Sequence, residues 1–326
     1  MRNKGFASIL DKYSRVMLLL VIIIGMSILR PDAFLTWSNM STVIFQQAPF
    51  TMLMSFGMTL AIITKGIDTS MGSVLVLSSV LVAGFIKSGN MVLGIVMALC
   101  IGAACGALNG VLITRVGIAP FIATYGVDWV ALGLAFVYTG GVYIYDFPEK
   151  FRSIANGQFL GLVPNVAVVT IAVFLVLWFV TCRTTYGRNI YSAGNNMAAT
   201  ALSGVNAKNI VLSVYVINGL LAATTGILYM AKLNAADPGI SGSFTLDSIA
   251  AALIGGTSFE GGKGSVAHTV VGALIIIFIR NGMNILGVAT TWQQAVVGGV
   301  ILLSIVLEKV TQKMVAGSKR KAAAAA

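Results

Sequence analysis

The chain has 326 residues, 57% of them hydrophobic and only 10% charged, with a mean hydropathy of +0.93. That apolarity excludes a water-soluble globule and makes a bilayer the natural solvent. The net charge of +11 would suggest nucleic acid as the partner of a soluble protein, but here the basic residues have first to be placed about the membrane.

Windows of about 20 apolar residues place spans over 16–34, 43–64, 67–87, 91–114, 118–138, 162–182, 210–232, 244–259, 264–286 and 290–308. The fold class read from this is all-α: a polytopic membrane protein of about ten helices, its eighth span short. Residues 1–15 form a cytoplasmic tail, 16–308 a single transmembrane domain and 309–326 a basic cytoplasmic tail. The first segment lacks a small-residue cleavage site and reads as an anchor. With the N-terminus inside, 15 of the 21 Lys and Arg fall on the cytoplasmic side, 5 fall outside and Arg280 lies in a span. Orientation therefore accounts for the net charge, and nucleic acid is not expected as a partner. Two polar interruptions stand out: an outer one over 139–161, expected to be ordered and to face water, and an inner one over 183–209 with a short amphipathic run.

The fourth span carries Gly94, Ala98, Gly102, Gly106 and Gly110, one small residue every fourth position on one helix face, as close backbone packing requires. Between the second and third spans, Gly66-Ile67-Asp68-Thr69-Ser70-Met71-Gly72-Ser73 offers Asp68 and Ser70 either as helix caps or as groups at the mouth of a pathway. Asp128 lies midway along the fifth span, where a charge costs about 3 kcal/mol, so it either lines a wet pathway or meets a partner. Asp247 poses a milder form of the same question, with Arg280 as a candidate partner or a snorkelling cation. His268, the sole histidine, reads as a packing residue. Cys100, Cys105 and Cys182 lie in apolar stretches without metal-ligand spacing and are expected to be buried, unpaired thiols. There is no enzyme constellation, no metal set and no Walker-type GxxxxGK[ST], so ATP hydrolysis is not expected of this chain.

GIDTSMGS at 66–73, ALNGVLIT at 107–114, PFIATYG at 120–126, TTYGRNIYSAGNNMAATALSGVN at 184–206, LDSIAAALIGGTSFEGGKGSV at 246–266 and NGMNILGV at 281–288 together give a long resemblance. Over about 39–308, the sequence resembles the permease subunits of ribose-, xylose-, arabinose- and galactose-class bacterial ABC importers that depend on a binding protein. Where the family usually reads GIDLSVG this chain has GIDTSMG, and the stretch 127–145 lies outside the matching motifs, which leaves the sugar open. The resemblance implies a permease paired with a second copy or a paralogue, two ATPase subunits that use ATP and Mg, and a periplasmic sugar-binding protein. It also implies that 184–206 is the coupling loop, with Gly187, Gly194, Ala198, Ala199 and Gly204 docking the ATPase. The small apolar face of Ala198, Ala199, Ala201, Leu202 and Gly204 suits a protein groove. Intramembrane polarity ranks Asp68, Ser70, Asp128, Asn281, Asn284 and Gln293 as pathway candidates. The rival reading is an ion-gradient carrier acting alone, which Asp128 and the Gly-interrupted segments would suit.

Overall fold

Proline and glycine punctuation sets where the apolar runs become helices in the computed structural model, which describes residues 2–303 and 306. Helix α1 (Arg2–Leu29) begins well before the expected span and stops ahead of Pro31, whose ring cannot continue it. Pro31–Phe34 forms the short α2. Thr36 caps α3 (Trp37–Thr42) by accepting from the Asn39 N–H, and a π turn over Val43–Gln47 leads into α4 (Ala48–Ile63). Pro49 explains that widened turn, since it offers no N–H and crowds the carbonyl four residues back.

Helix α5 (Met71–Lys87) starts four residues later than expected, because 64–70 is a non-helical turn. Helix α6 (Met91–Val111) runs through a π turn at Leu112–Val116 to Gly117 at φ +87, and Pro120 then opens α7 (Pro120–Thr139). Next come α8 (Glu149–Asn156), α9 (Asn165–Arg183), α10 (Thr185–Asn195), α11 (Met197–Leu202), α12 (Ala207–Leu233), α13 (Ser241–Ile254) and α14 (Val266–Ile285). A last helix covers 290–303 (α15). The expected tail over 309–326 lies outside the described residues.

Among the described residues, five helical stretches are long and apolar enough to cross a membrane: Met91–Val116, α7, α9, α12 and α14. Arg15–Leu29, α5 and Ser243–Ile254 are shorter apolar stretches, and α13, the expected short span, stops at Gly255-Gly256. The fold is the all-helical polytopic bundle the sequence implied. Its only strands among the described residues are two-residue ribbons, Ile144–Tyr145 (β1) with Ala235–Ala236 (β4) and Gln158–Phe159 (β2) with Val163–Pro164 (β3). They order the outer interruption. Phe147 N–H donates to Asn234 Oδ1 at 2.9 Å, while Phe151 of α8 is fully buried against the bundle.

Helix α12 is the axis of the core, with Tyr215, Asn218, Ala222, Ala223 and Thr225 all inaccessible. The glycine stripe of α6 lies against it. A Cβ on Gly102 would collide with the Gly219 carbonyl, one on Gly106 with the Tyr215 carbonyl, and one on Gly110 with Leu212. Contacts between the two backbones therefore replace the hydrophobic drive that lipid removes. The opposite face of α6 turns away from the core, so Cys100 is exposed and Cys105 half-buried, and Cys182 near the end of α9 is exposed as well, which corrects the expectation of buried thiols.

Gly102→Leu should force α6 and α12 apart and, as overpacking, cost about 3 kcal/mol. Thermal unfolding in detergent should show a clear drop, whereas Gly133→Leu on the open face of α7, where a Cβ meets nothing, should leave the midpoint unchanged.

Candidate functional site

Helix α4 ends on a left-handed residue, Lys65 at φ +62, and the Gly66 N–H returns to the Ala61 carbonyl at 2.9 Å. The chain then runs inside the bundle to Ser70 without a helix to satisfy its backbone, and neighbouring helices supply the partners. Ser70 donates its N–H (3.1 Å) and its hydroxyl (2.6 Å) to Asp68 Oδ1. Asn218 of α12 donates to Asp68 Oδ2 at 3.2 Å, and Asn109 of α6 donates to Ser70 Oγ at 2.7 Å. Thr124 of α7 donates to the Ile67 carbonyl (3.1 Å) and accepts from the Thr69 N–H (3.2 Å). Thr245 of α13 accepts from the Gly72 N–H at 3.1 Å. One turn is thereby tied to four helices.

Asp68 is 1% exposed and meets hydrogen-bond donors rather than a cation, since the one salt bridge among the described residues is elsewhere. Three donors to one carboxylate offset much of the cost of burying it. Asn109 Oδ1, Asn218 Oδ1 and the Tyr215 hydroxyl, all buried nearby, have no partner among the described residues, so this hub keeps spare polar capacity.

Of the six pathway candidates, only Asp68 and Ser70 lie in the hub. Asp128 is half-buried on α7 and faces Ser73 in the first turn of α5. The other three gather at the opposite end of the bundle. Asn281 and Asn39 exchange amide hydrogen bonds of 2.8 and 3.0 Å, while buried Gln293 donates to exposed Asn284 (2.7 Å) and to the Val288 carbonyl (3.0 Å). Arg280 finds its partner in Asp247 at 2.6 Å, not in Asp128. His268 Nδ1 lies 3.1 Å from Arg15 Nη1, from which it accepts. Sequence reasoning missed Asn109, Asn218, Thr124 and Thr245. For Asn109 a signal existed, because it sits one turn from Gly106 near the small-residue face of α6.

The inner interruption folds as three capped helices. Thr184 accepts from Gly187 N–H, Asn196 from Ala199 N–H and Asn206 from Asn209 N–H, so each opens a helix, and Thr184 and Asn196 also close the one before. The root of the elbow formed by α10 and α11 is packed. A Cβ on Gly187 would strike the Val180 carbonyl and one on Gly194 the Ile63 carbonyl. The Tyr186 hydroxyl pairs with Ser213 at 2.6 Å, and burial pushes this phenol up, so it stays neutral. The tip is open: Met197, Ala198, Ala199, Ala201 and Gly204 are exposed, Leu202 is 90% exposed, and a polar cleft of 260 Å³ lies beside them, lined by residues including Asn189, Ser192 and Asn196.

Residues 39–305 match the family described as branched-chain amino acid transport system / permease component, and the chain belongs to this permease family. It is a transport subunit, not an enzyme. Among curated relatives it is 37% identical to the D-allose transport system permease protein of Escherichia coli K12, over 95% of each chain. It is 39% identical to the ribose import permease protein of Bacillus subtilis 168, over 93% of this chain and 94% of the relative. It is 31% identical to the fructose import permease protein of Rhizobium meliloti, over 84% and 79%. No solved structure matches.

Asp68→Leu removes an acceptor and leaves the Ser70 N–H and the Asn218 amide unpaired, at about 1–3 kcal/mol for each buried group. Asp68→Asn keeps one amide oxygen as acceptor and should cost less than half as much. The ranking wild type, Asn, Leu in detergent unfolding midpoints is the check.

Proposed function

We propose that this chain is the membrane-spanning permease of an ATP-driven importer for a monosaccharide, working in the bacterial plasma membrane. The relatives named for ribose, allose and fructose support a monosaccharide as substrate, since the chain matches them along most of its length. The observation that carries the mechanical part is the elbow: its glycine root is locked into the bundle while its tip exposes small apolar side chains with no core of their own to fill. A groove on a partner ATPase is the complementary surface, with ATP and Mg bound there and not by this chain. Both termini and the elbow lie on the cytoplasmic side, and a periplasmic binding protein delivers sugar at the face that carries α8 and the ribbons. A second permease, a copy or a paralogue, completes the membrane unit, and lipid covers the remaining apolar faces.

In this reading the six polar candidates divide. Asp128 and Asn284, which keep access to the surface, belong to the pathway wall. Asp68, Ser70, Asn281 and Gln293 hold the helices that form it. Affinity resides mainly in the binding protein, and a wet, weakly binding wall lets the sugar leave.

Ala198→Glu and Gly204→Arg place charge on the docking tip, and burying an unpaired charge costs about 3–5 kcal/mol. Both variants should reach the membrane at normal levels, lose the co-purifying ATPase and lose sugar uptake. Retention of both association and uptake would falsify the docking role of the elbow and remove the main mechanical support of the importer reading, and uptake by vesicles containing this chain alone would favour an ion-driven carrier. Asp128→Leu should lower uptake more than assembly, and an unchanged rate would remove it from the wall. Single cysteines at positions 188 and 313 should label only from the cytoplasm and one at 150 only from outside, in a background free of Cys100, Cys105 and Cys182.

A further inference from the structure

The elbow and the hub meet at one place, the end of α4. The Gly262 N–H donates to the Ile63 carbonyl at 2.8 Å, and that same carbonyl is the atom a Cβ on Gly194 would strike. Gly262, at φ +68, lies against Asn195, with a Cβ there only 3.0 Å from Asn195 Cα. Gly261, at φ +75, is pressed on the Lys65 side chain and the Gly194 carbonyl. The Tyr191 hydroxyl donates to the Gly264 carbonyl at 3.1 Å. Three segments therefore lock closely, in part backbone against backbone at Gly194 and Gly262: the end of α4, the end of α10 and the loop 256–264. Across this knot Lys65 Nζ donates to the Asn195 carbonyl at 3.1 Å, at the break between α10 and α11.

Lys65 holds a conformation that side chains rarely adopt, φ +62, and such geometry persists only where the surroundings fix it. Here its ammonium is anchored on α10 while its backbone begins the turn that carries Asp68 three residues on. We propose that Lys65 is a positioning residue, a latch that transmits displacement of the α10–α11 elbow into the Asp68 hub and so to α6, α7, α12 and α13. The glycines of the knot leave no compliant side-chain layer to absorb the movement. Lys65 and Tyr191 are the long side chains that cross the knot, and of the two only Lys65 begins the turn that leads to Asp68. This rests on the elbow being the site where the ATPase docks, as proposed above.

The test is hydrogen exchange on the purified permease–ATPase complex, with and without ATP and vanadate, read on peptides covering 190–206 and 66–72. The wild type should change exchange at least threefold in both peptides. Lys65→Asn keeps a residue that tolerates a left-handed backbone but cannot reach Asn195. It should retain ATPase association and the change in 190–206, and lose the change in 66–72. Lys65→Arg restores reach and should restore both. The latch is overturned if 66–72 still responds in Lys65→Asn, if it never responds in the wild type, or if Lys65→Arg behaves like Lys65→Asn. Silence of 190–206 in the wild type would instead refute the docking role of the elbow, an outcome distinct from failure of the latch alone.

Discussion

The structure turns on one constraint: the chain abandons helical geometry between Thr64 and Ser70 while still inside the bundle, and backbone groups there have no water to bond. Neighbouring helices answer it with polar side chains: Thr124 from α7 meets the Ile67 carbonyl and the Thr69 N–H, Thr245 from α13 the Gly72 N–H just beyond, and Asn109 from α6 and Asn218 from α12 hold the side chains of Ser70 and Asp68. These side chains are short, so they reach the turn only if the helices come close. The glycine seam provides that closeness. Gly106 lies one turn from Asn109, Gly219 adjoins Asn218, and the contacts of Gly102 and Gly219 with each other's carbonyls set the spacing of α6 and α12. Packing and polar satisfaction are therefore a single device, and neither half would stand without the other.

Much of this was legible in the sequence, for reasons that differ by residue. The apolar runs follow from hydropathy, and the four-residue repeat of small residues on α6 announced its packing face. What hydropathy could not show was where an apolar run stays non-helical. Residues 67–70 read as the start of the third span, and only the left-handed Lys65 and the partners of Asp68 show that the chain is not helical until Met71. The long-range pair Asn39 with Asn281 was equally out of reach, because it depends on which helix ends meet, whereas Arg280 could be offered as a partner of Asp247 because a charge within a span needs one. The thiols were misjudged by a simple route: Cys100 sits between Ala98 and Gly102 in sequence, but the 3.6-residue period turns it to the opposite face.

The elbow shows how capping chemistry divides a polar connection into working parts. Thr184, Asn196 and Asn206 each accept from the backbone N–H three residues on, so the connection over 184–206 becomes rods with fixed corners instead of a slack loop. Rods transmit displacement, whereas a slack loop would dissipate it. The two rods differ in surroundings. Helix α10 is gripped by glycine contacts and by Tyr186 and Tyr191, and α11 stands free with Leu202 outermost.

That asymmetry also bears on how weak forces are used. A protein groove closing on Ala198 and Leu202 gains only what burying a small apolar patch provides, about 25 cal/mol per Å², far less than the packing that holds α6 to α12. A soft connection would dissipate such a force, and a rigid bundle without a break would resist it. Gripping the root by backbone contact, and placing the one helix break of α4 and α5 directly beneath it, concentrates the movement on hydrogen bonds around Asp68. Those bonds are individually worth about 1–3 kcal/mol, the scale at which a docked partner can rearrange them while the glycine seam of α6 and α12 stays closed.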